Sequence, residues 1–242
     1  MSIAVITGDI IGSSKLKDGS ERALLAQKLK ECLAYVAKSK TNLEITRGDS
    51  FQVIVKDKRE ALFAAVYVRC FLKTILKPGI TLKKKAKNST YKTGRNVFVN
   101  TAGKEINDGV LITDARISIG IGEVSYKAKK LSESDGTAFH NSGRGFDLLT
   151  KDKNLSITTD TAATTQKSLE LICDYVDHII KGWSYNQAEV VLALLEADNQ
   201  DIKQSVLANK FGITQPSLSQ RINSANWDLL KKSINISREL LA

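Results

Sequence analysis

The feature that most constrains the fold is the order in which strand-like and helix-like segments follow one another in the first 160 residues. Residues 3–7 form a near-continuous apolar run of strand length, typical of a central strand covered on both faces. Residues 20–38 carry leucine and valine at spacings of three and four, which predicts an amphipathic helix. Residues 43–46 and 51–55 are short β-prone runs joined by a glycine-containing turn, which predicts a hairpin.

The next segments extend this pattern after an interruption. Residues 60–76 have helical periodicity, whereas residues 79–112 show no sustained period and predict an exposed insertion. The stretch "RISIGIGE", residues 116–123, alternates isoleucine with serine and glycine. One face of that strand therefore lacks bulk, so a ligand or another backbone can approach it closely. A short helix within 136–149 and a strand at 155–158 complete the series.

The resulting order is β-α-β-β-α-β-α-β, with the insertion between the second helix and the fourth strand. This order predicts an α+β fold. A split βαβ, ferredoxin-like sheet-and-helix domain over residues 1–160 is the economical way to bury these elements, with the first strand central beside the hairpin. Residues 161–180 are predicted to form a connecting helix. Residues 181–242 are all helical in pattern and are predicted to form a second, smaller domain.

Composition narrows the function classes. The N-terminus lacks a signal-peptide pattern, and no run approaches the roughly 18 apolar residues of a membrane-spanning helix, which predicts a cytoplasmic protein without a membrane partner. The three cysteines, Cys32, Cys70 and Cys173, are far apart in apolar surroundings and are interpreted as core thiols. The net charge of +10 points to a polyanionic partner. Half of that excess lies in 79–112, where seven basic residues face two acidic ones.

Two acids are predicted to meet at one edge of the sheet. Asp9 ends the first strand and Asp49 lies in the hairpin turn, so pairing of the hairpin beside the first strand would place them side by side. Two carboxylates there repel each other unless a cation lies between them, and Mg²⁺ (or Mn²⁺) accepts hard oxygen ligands while leaving room for phosphates. The alternative is ordinary turn chemistry, with Asp9 capping the following turn.

Residues around this acid pair offer contacts to phosphate. Gly12, Ser13 and Ser14 would present backbone N–H groups and hydroxyls at a turn that leads toward a helix. Arg47, directly before Gly48-Asp49, would either contact phosphate or neutralise the acids. Arg116, in the glycine-backed strand, is interpreted as an edge charge.

The C-terminal segment has the pattern of a helix-turn-helix. A helix over 205–211, a tight turn over 212–214 and a second helix over 215–226 with Pro216 in its first turn fit that motif. The second helix offers an acid-free polar face that suits base edges and phosphates, formed by Gln215, Ser217, Ser219, Gln220 and Arg221. DNA is therefore a predicted partner. The alternative is a dimerisation or protein-contact module, since residues 181–242 are nearly neutral.

Four ordered segments carry a resemblance to a known family: "ITGDIIGSSKL", "RGDSFQVIV", "ARISIGIGEV" and "SDGTAFHNSGRGFDLL". They resemble the motifs of the class III nucleotidyl cyclase catalytic domain, and together with the C-terminal segment the chain is similar to the SatD family of bacterial proteins. The resemblance implies that Asp9, Asp49 and the carbonyl of Ile10 bind metal and that Arg144 steadies the triphosphate. It also implies a homodimer, with the acids and the arginine of one site contributed by different protomers.

The chain departs from the cyclase pattern where the base is read. His140 stands where cyclases carry an asparagine; one helical turn before Arg144, it could still contact ribose or phosphate, and both are candidate catalytic residues. Ile45 replaces the purine-reading lysine, and the partner acid would fall at Glu133. The metal and phosphate half of the site thus looks kept, while the base-reading half looks changed.

Three functions remain open from the sequence. The first is a bacterial DNA-binding regulator that responds to a nucleotide with Mg²⁺. The second is an active nucleotidyl cyclase that converts a nucleoside triphosphate to a cyclic nucleotide, with metals on Asp9 and Asp49 and support from Arg144. The third is an adaptor or structural protein whose sites have degenerated.

Overall fold

The protein is described here by a computed structural model that covers residues 2–13, 19–75, 98–99, 105–106, 113–197 and 202–242. Most of the predicted insertion at 79–112 lies outside these residues. Within it, two short strands pair as an antiparallel hairpin, β4 (Phe98–Val99) with β5 (Glu105–Ile106). Ser14 also lies outside the described residues.

The centre of the fold is a five-stranded mixed sheet. Its strands are β1 (Ile3–Ile11), β2 (Leu43–Thr46), β3 (Ser50–Val55), β6 (Asp114–Gly122) and β7 (Leu155–Thr158), in the spatial order β2-β3-β1-β6-β7. The β1 strand is antiparallel to both β3 and β6, while β6 and β7 are parallel. The first strand is therefore central and lies beside the β2–β3 hairpin, as the apolar run and the hairpin pattern predict.

Three of the described helices lie between strands of the sheet in the sequence, and the other five follow its last strand. They are α1 (Gly19–Ala37), α2 (Ala61–Ile75), α3 (Thr137–Asp147), α4 (Ala163–Lys181), α5 (Tyr185–Glu196), α6 (Gln204–Phe211), α7 (Gln215–Ser224) and α8 (Trp227–Leu240). Short 3₁₀ turns occupy Lys58–Glu60 and Leu131–Glu133. The α+β class is confirmed, and the predicted helix limits agree with these bounds to within a few residues.

The two faces of the sheet bury different sets of side chains, because successive strand residues point to opposite faces. Ile6 and Ile10 of β1 lie in the large core together with Leu29 of α1 and Leu62 of α2. Val5, the residue before Ile6, packs on the other face with Phe139 of α3 and Leu131. The central strand is thus covered on both sides up to the point where Asp9 interrupts it.

The α3 helix approaches the sheet unusually closely at β6. A Cβ atom at Gly120 would collide with the backbone of Ser142 and Ala138, and one at Gly145 would collide with the hydroxyl of Ser118. The face of β6 without bulk therefore admits another backbone, one of the two outcomes that its serine and glycine pattern predicts. This close packing fixes the position of α3, which carries His140 and Arg144.

Two of the C-terminal helices, α5 and α8, share one continuous core with the sheet and its helices, whereas α6 and α7 pack in a second cluster against the other face of α5. Ala188 of α5, Leu230 and Ile234 of α8 belong to the same buried cluster as the apolar residues of β1 and α2. The Nε1–H group of Trp183 donates to the carbonyl of Ala225 at 3.0 Å. Ser184 caps α5 in a capping box, so the chain turns there between α4 and the last four helices.

A buried ion cluster joins three elements beneath this core. Arg69 of α2 is fully buried and donates through Nε and Nη2 to both oxygens of Asp114 of β6, at 2.8 Å each. Its Nη1 donates to Asp177 of α4 at 2.7 Å. Burial opposes ionisation of Asp114, but the hydrogen bonds and charge of Arg69 outweigh it and lower the pKa of that carboxyl. The cluster therefore depends on all of its charges being present.

The three cysteines are buried and have no disulfide partner. Burial raises the pKa of each thiol above its usual range. Their interpretation as core thiols is confirmed by this burial.

Candidate functional site

The end of β1 brings the two predicted acids to the same edge of the sheet. Asp9 pairs in register with Ser50 of β3, and the amide of Ile10 donates to the carbonyl of Asp49 at 3.0 Å. Asp49 lies in the turn between β2 and β3, where Arg47 and Gly48 both adopt left-handed backbone with φ of 55° and 84°. Residues forty positions apart in sequence thus become neighbours because the hairpin lies beside the first strand.

Asp9 already has a cationic partner. Its Oδ2 accepts from Nη2 of Arg116 at 3.0 Å, and its Oδ1 accepts from Ser50 Oγ at 3.2 Å. Arg116 stands directly opposite Asp9 in the β1–β6 pairing, and its guanidinium lies 5.6 Å from the centre of the Phe146 ring. Arg116 is therefore part of the site and not merely an edge charge. The sequence signal that could have found it is the antiparallel register of β1 and β6.

A cleft of about 390 Å³ opens beside α3 on this face of the sheet. Thr7, Asp9, Gln52, Arg116 and Phe146 are among the residues that line it. Gln52 donates from Nε2 to Thr7 Oγ1 at 3.4 Å, whereas its Oε1 is buried without a hydrogen-bond partner in the described part of the chain. An unsatisfied buried acceptor costs stability, so its presence in a cleft favours a donor from a bound molecule.

Ile45, which stands at the base-reading position in the resemblance to cyclases, does not face the cleft. Ile45 packs partly buried against the large core on the opposite face, and Glu44 lines the cleft instead. The carboxylate of Glu44 accepts from the backbone N–H and the hydroxyl of Ser132 at 2.9 and 3.1 Å. Glu133, the predicted partner acid, is exposed and pairs with Lys130 at 3.6 Å. Strand alternation around Ile45 is the signal that could have identified Glu44.

His140 and Arg144 lie one turn apart on α3, and both are exposed. Nε2 of His140 is 2.7 Å from Oδ1 of Asp135. Neither residue lines the cleft of its own chain. The structure therefore brings Asp9, Asp49 and Arg116 to one edge of the sheet. Asp9 and Arg116 line the cleft, whereas Asp49 and Arg144 do not.

The predicted phosphate turn is partly described. Gly12 has a φ of 78°, and Ser13 Oγ donates to Asp49 Oδ2 at 2.7 Å. Ser13 thus ties the chain leaving β1 to the hairpin turn. Arg47 is exposed at that turn, on the rim of the same edge.

The donor set at this edge fits a hard divalent cation. Asp9 and Asp49 could offer carboxylate oxygens, and the hydrogen bond from the Ile10 amide to the Asp49 carbonyl joins the two chain segments that carry them. Among the residues described, no group of three or more His, Cys, Asp or Glu side chains is gathered as a metal cage. Two carboxylates with space for a phosphate ligand are typical of Mg²⁺ sites, whereas a structural zinc site needs a fuller set.

The helices α6 and α7 enclose a short turn at Gly212, which has left-handed backbone with φ of 63°. Thr214 caps α7, its Oγ1 accepting from the amide of Ser217 at 3.3 Å, and Pro216 lies in the first turn. Gln215, Ser217 and Gln220 are exposed. Ser219 and Arg221 are half-buried, so the polar face predicted for this helix is narrower than its sequence indicates.

Comparisons with known protein families, with curated proteins and with solved structures found no match to this chain. No helix in the described part of the chain is long and apolar enough to cross a membrane.

Proposed function

We propose that the protein is a cytoplasmic bacterial regulator that binds a nucleotide with Mg²⁺ and, in response, changes its affinity for DNA. The observation that carries this proposal is the acid pair at the end of β1, held by the hydrogen bond from Ile10 to Asp49 beside a cleft with an unsatisfied acceptor. The cyclase-like, ferredoxin-like interpretation of the sheet and the similarity to the SatD family are part of the same proposal.

In this proposal, Asp9, Asp49 and the Ile10 carbonyl hold the cation at the cleft edge. The cation would supply positive charge against the phosphates of the nucleotide. Gly12 and Ser13, at the turn that follows β1, lie beside the hairpin turn, so their backbone N–H groups would contact the same phosphates while the Ser13 hydroxyl donates to Asp49. Gln52 and Glu44 offer acceptors along the cleft, which would orient N–H groups of the ligand.

The DNA half of the proposal rests on α6 and α7 as a helix-turn-helix. The second helix presents Gln215, Ser217 and Gln220 outward, while Leu218 and Ile222 are buried beneath it. A homodimer would place two such helices in successive major grooves. The α5 helix shares a core with α2 and α4, and its other face packs in a second cluster with Leu218 and Ile222 of α7. A ligand that shifts α2 or α4 would therefore shift the recognition helices through α5.

The test is a titration of DNA affinity. A duplex selected from a random library by the full chain would be labelled, and its affinity measured by fluorescence anisotropy with each ribonucleoside triphosphate, with and without Mg²⁺. At least one nucleotide with Mg²⁺ is expected to change the affinity fivefold or more, the lower range of allosteric coupling. Asp9→Asn is expected to abolish that change. An affinity that stays constant across all nucleotides would refute the proposal.

A second candidate function, nucleotidyl cyclase activity, is favoured by one observation. Arg144 is exposed and lies outside the cleft of its own chain, as expected for an arginine donated to the site of a partner protomer. Incubation with each triphosphate and Mg²⁺ or Mn²⁺, with products resolved by mass, tests it. A cyclic product lost in Asp49→Asn and in Arg144→Ala would establish the enzyme; intact triphosphate would exclude it.

A further inference from the structure

Arg116 occupies the position from which it can control access to the acid pair. Pairing of β1 with β6 places it directly opposite Asp9, and its Nη2 lies 3.0 Å from Asp9 Oδ2. Asp9 therefore has one oxygen engaged by a cation of the protein itself and the other by Ser50. A divalent cation that used Asp9 Oδ2 would have to displace this guanidinium.

Besides its ion pair with Asp9, Arg116 contacts an aromatic ring of α3. The Phe146 ring of α3 lies 5.6 Å from the guanidinium carbon, a distance suited to a cation–π contact, and the side chain is 39% exposed toward the cleft. An arginine that leaves Asp9 can thus remain over Phe146 while it turns toward the cleft. Its five donors match a phosphate or a carboxylate in geometry.

We infer that Arg116 is an exchangeable counter-ion: it competes with the divalent cation for Asp9 and moves to the anionic ligand when that cation binds. This inference rests on the proposed metal and nucleotide site and adds its regulation. The metal and the phosphate ligand then bind with positive coupling. The metal frees Arg116 for the phosphate, and the phosphate draws Arg116 away from Asp9, which frees Asp9 for the metal. The divalent cation binds weakly in the absence of phosphate, because it must separate Arg116 from Asp9 and no anionic ligand is present to accept the released guanidinium.

The experiment measures Mn²⁺ binding to the full chain by equilibrium dialysis, first with Mn²⁺ alone and then with inorganic tripolyphosphate. Free Mn²⁺ and its tripolyphosphate complex equalise across the dialysis membrane, so the excess of Mn²⁺ on the protein side is the protein-bound metal. Arg116→Gln is expected to bind Mn²⁺ alone about fivefold more tightly than wild type, the size expected for a partly exposed ion pair. Tripolyphosphate is expected to tighten Mn²⁺ binding strongly in wild type and much less in the variant. Equal Mn²⁺ affinities of wild type and Arg116→Gln would overturn the inference.

Two further variants separate this mechanism from simpler ones. Arg59→Gln removes the same charge from a remote exposed pair with Asp57, so an equal gain there would reduce the effect to net charge and overturn the inference. Arg116→Lys keeps the charge without the planar fork, and an intermediate Mn²⁺ affinity is expected if Arg116→Gln fails to fold. Absence of Mn²⁺ binding in every variant would overturn the metal site as well. The DNA titration tests the proposed function separately, because it measures the coupling of nucleotide to DNA binding and not the affinity for metal.

Discussion

At the residue scale, Gln52 shows how a side chain can be placed for binding and not for stability. It lies on β3 facing the cleft, donates one long hydrogen bond to Thr7 and leaves Oε1 buried without a partner in the described residues. A structural role would satisfy both ends of the amide. Its arrangement fits a side chain that completes its hydrogen bonds with a ligand.

Gln52→Leu is therefore predicted to leave the free energy of unfolding within about 1 kcal/mol of wild type, because it removes an unsatisfied acceptor along with a weak donor contact. Nucleotide affinity, measured by calorimetry with Mg²⁺, is predicted to fall about fivefold or more. Gln27→Leu, on the exposed surface of α1, is the control and should leave affinity unchanged. A loss of stability with unchanged affinity would assign Gln52 to the fold.

At the element scale, the contact between α3 and β6 determines where the cleft lies. Glycine at 120 and 145 lets the helix backbone approach the strand, so α3 covers β6 and leaves the neighbouring face of β2 and β3 open. Larger side chains in β6 would lift the helix and with it Phe146, which supports Arg116.

Gly120→Ala is predicted to lower the free energy of unfolding by about 1–3 kcal/mol, because the added methyl group meets helix backbone that cannot move aside. Gly143→Ala, on the α3 helix that the Gly120 methyl group would meet, is the matched control. A Cβ there meets nothing within 4 Å, so this variant should be neutral or up to about 1 kcal/mol more stable through helix propensity. Urea unfolding of the two variants provides the comparison, and equal stabilities would contradict the packing account.

The exposed face of α7 gives a second prediction at this scale. Gln220→Ala is expected to weaken binding to the selected DNA about tenfold, the loss expected for one side-chain contact to a base. Asn186→Ala, an exposed amide on α5, should leave DNA affinity unchanged. Fluorescence anisotropy measures both. Equal affinities would favour a helix pair used for protein contact.

Elements could be predicted from the sequence where the signal is local. The helices and the hairpin follow from periodicity and turn residues within one segment, and the position of Asp49 near Asp9 follows from the hairpin lying beside β1. The Asp9–Arg116 pair could not be found in this way, because it depends on the register between β1 and a strand 107 positions later. Glu44 was missed because the expectation fixed on Ile45, whose side chain points to the other face of the sheet.

At the scale of the whole molecule, the sheet and the C-terminal helices are joined by a shared core and by the buried Arg69 cluster. Arg69 connects α2, β6 and α4, and Lys181, the last residue of α4, contacts Asp177 at 2.9 Å. The two contacts of Arg69 could not be predicted from the sequence, because their partners lie 45 and 108 positions away in the chain.

Arg69→Leu is predicted to lower the free energy of unfolding by about 3–5 kcal/mol, because it removes the buried guanidinium shared by two buried carboxylates and leaves each with one lysine contact. Arg59→Leu, which removes an exposed pair with Asp57, should cost less than about 1 kcal/mol.

The Arg69 cluster also predicts that the protein is less stable in acid. Because the pKa of Asp114 is lower in the folded protein, its stabilising contribution is present at neutral pH and is lost as the pH falls below about 4. Chemical unfolding at several pH values measures both effects, and an Arg69→Leu variant as stable as Arg59→Leu would contradict them.

The account depends most on the acid pair holding a cation against phosphates. The most direct measurement is pulsed electron-nuclear double resonance on the protein, labelled with ¹³C at its aspartate carboxylates, with Mn²⁺ and a nucleoside triphosphate. Because Mn²⁺ binds triphosphate in solution as well, ³¹P coupling alone does not report the protein; the account predicts ¹³C coupling from aspartate carboxylates together with the ³¹P coupling. The ¹³C coupling should be retained in Asp135→Asn and reduced in Asp49→Asn. A ¹³C signal that is absent from wild type, or identical in wild type and Asp49→Asn, would show that the acids at the end of β1 do not hold the metal, and would contradict the central claim.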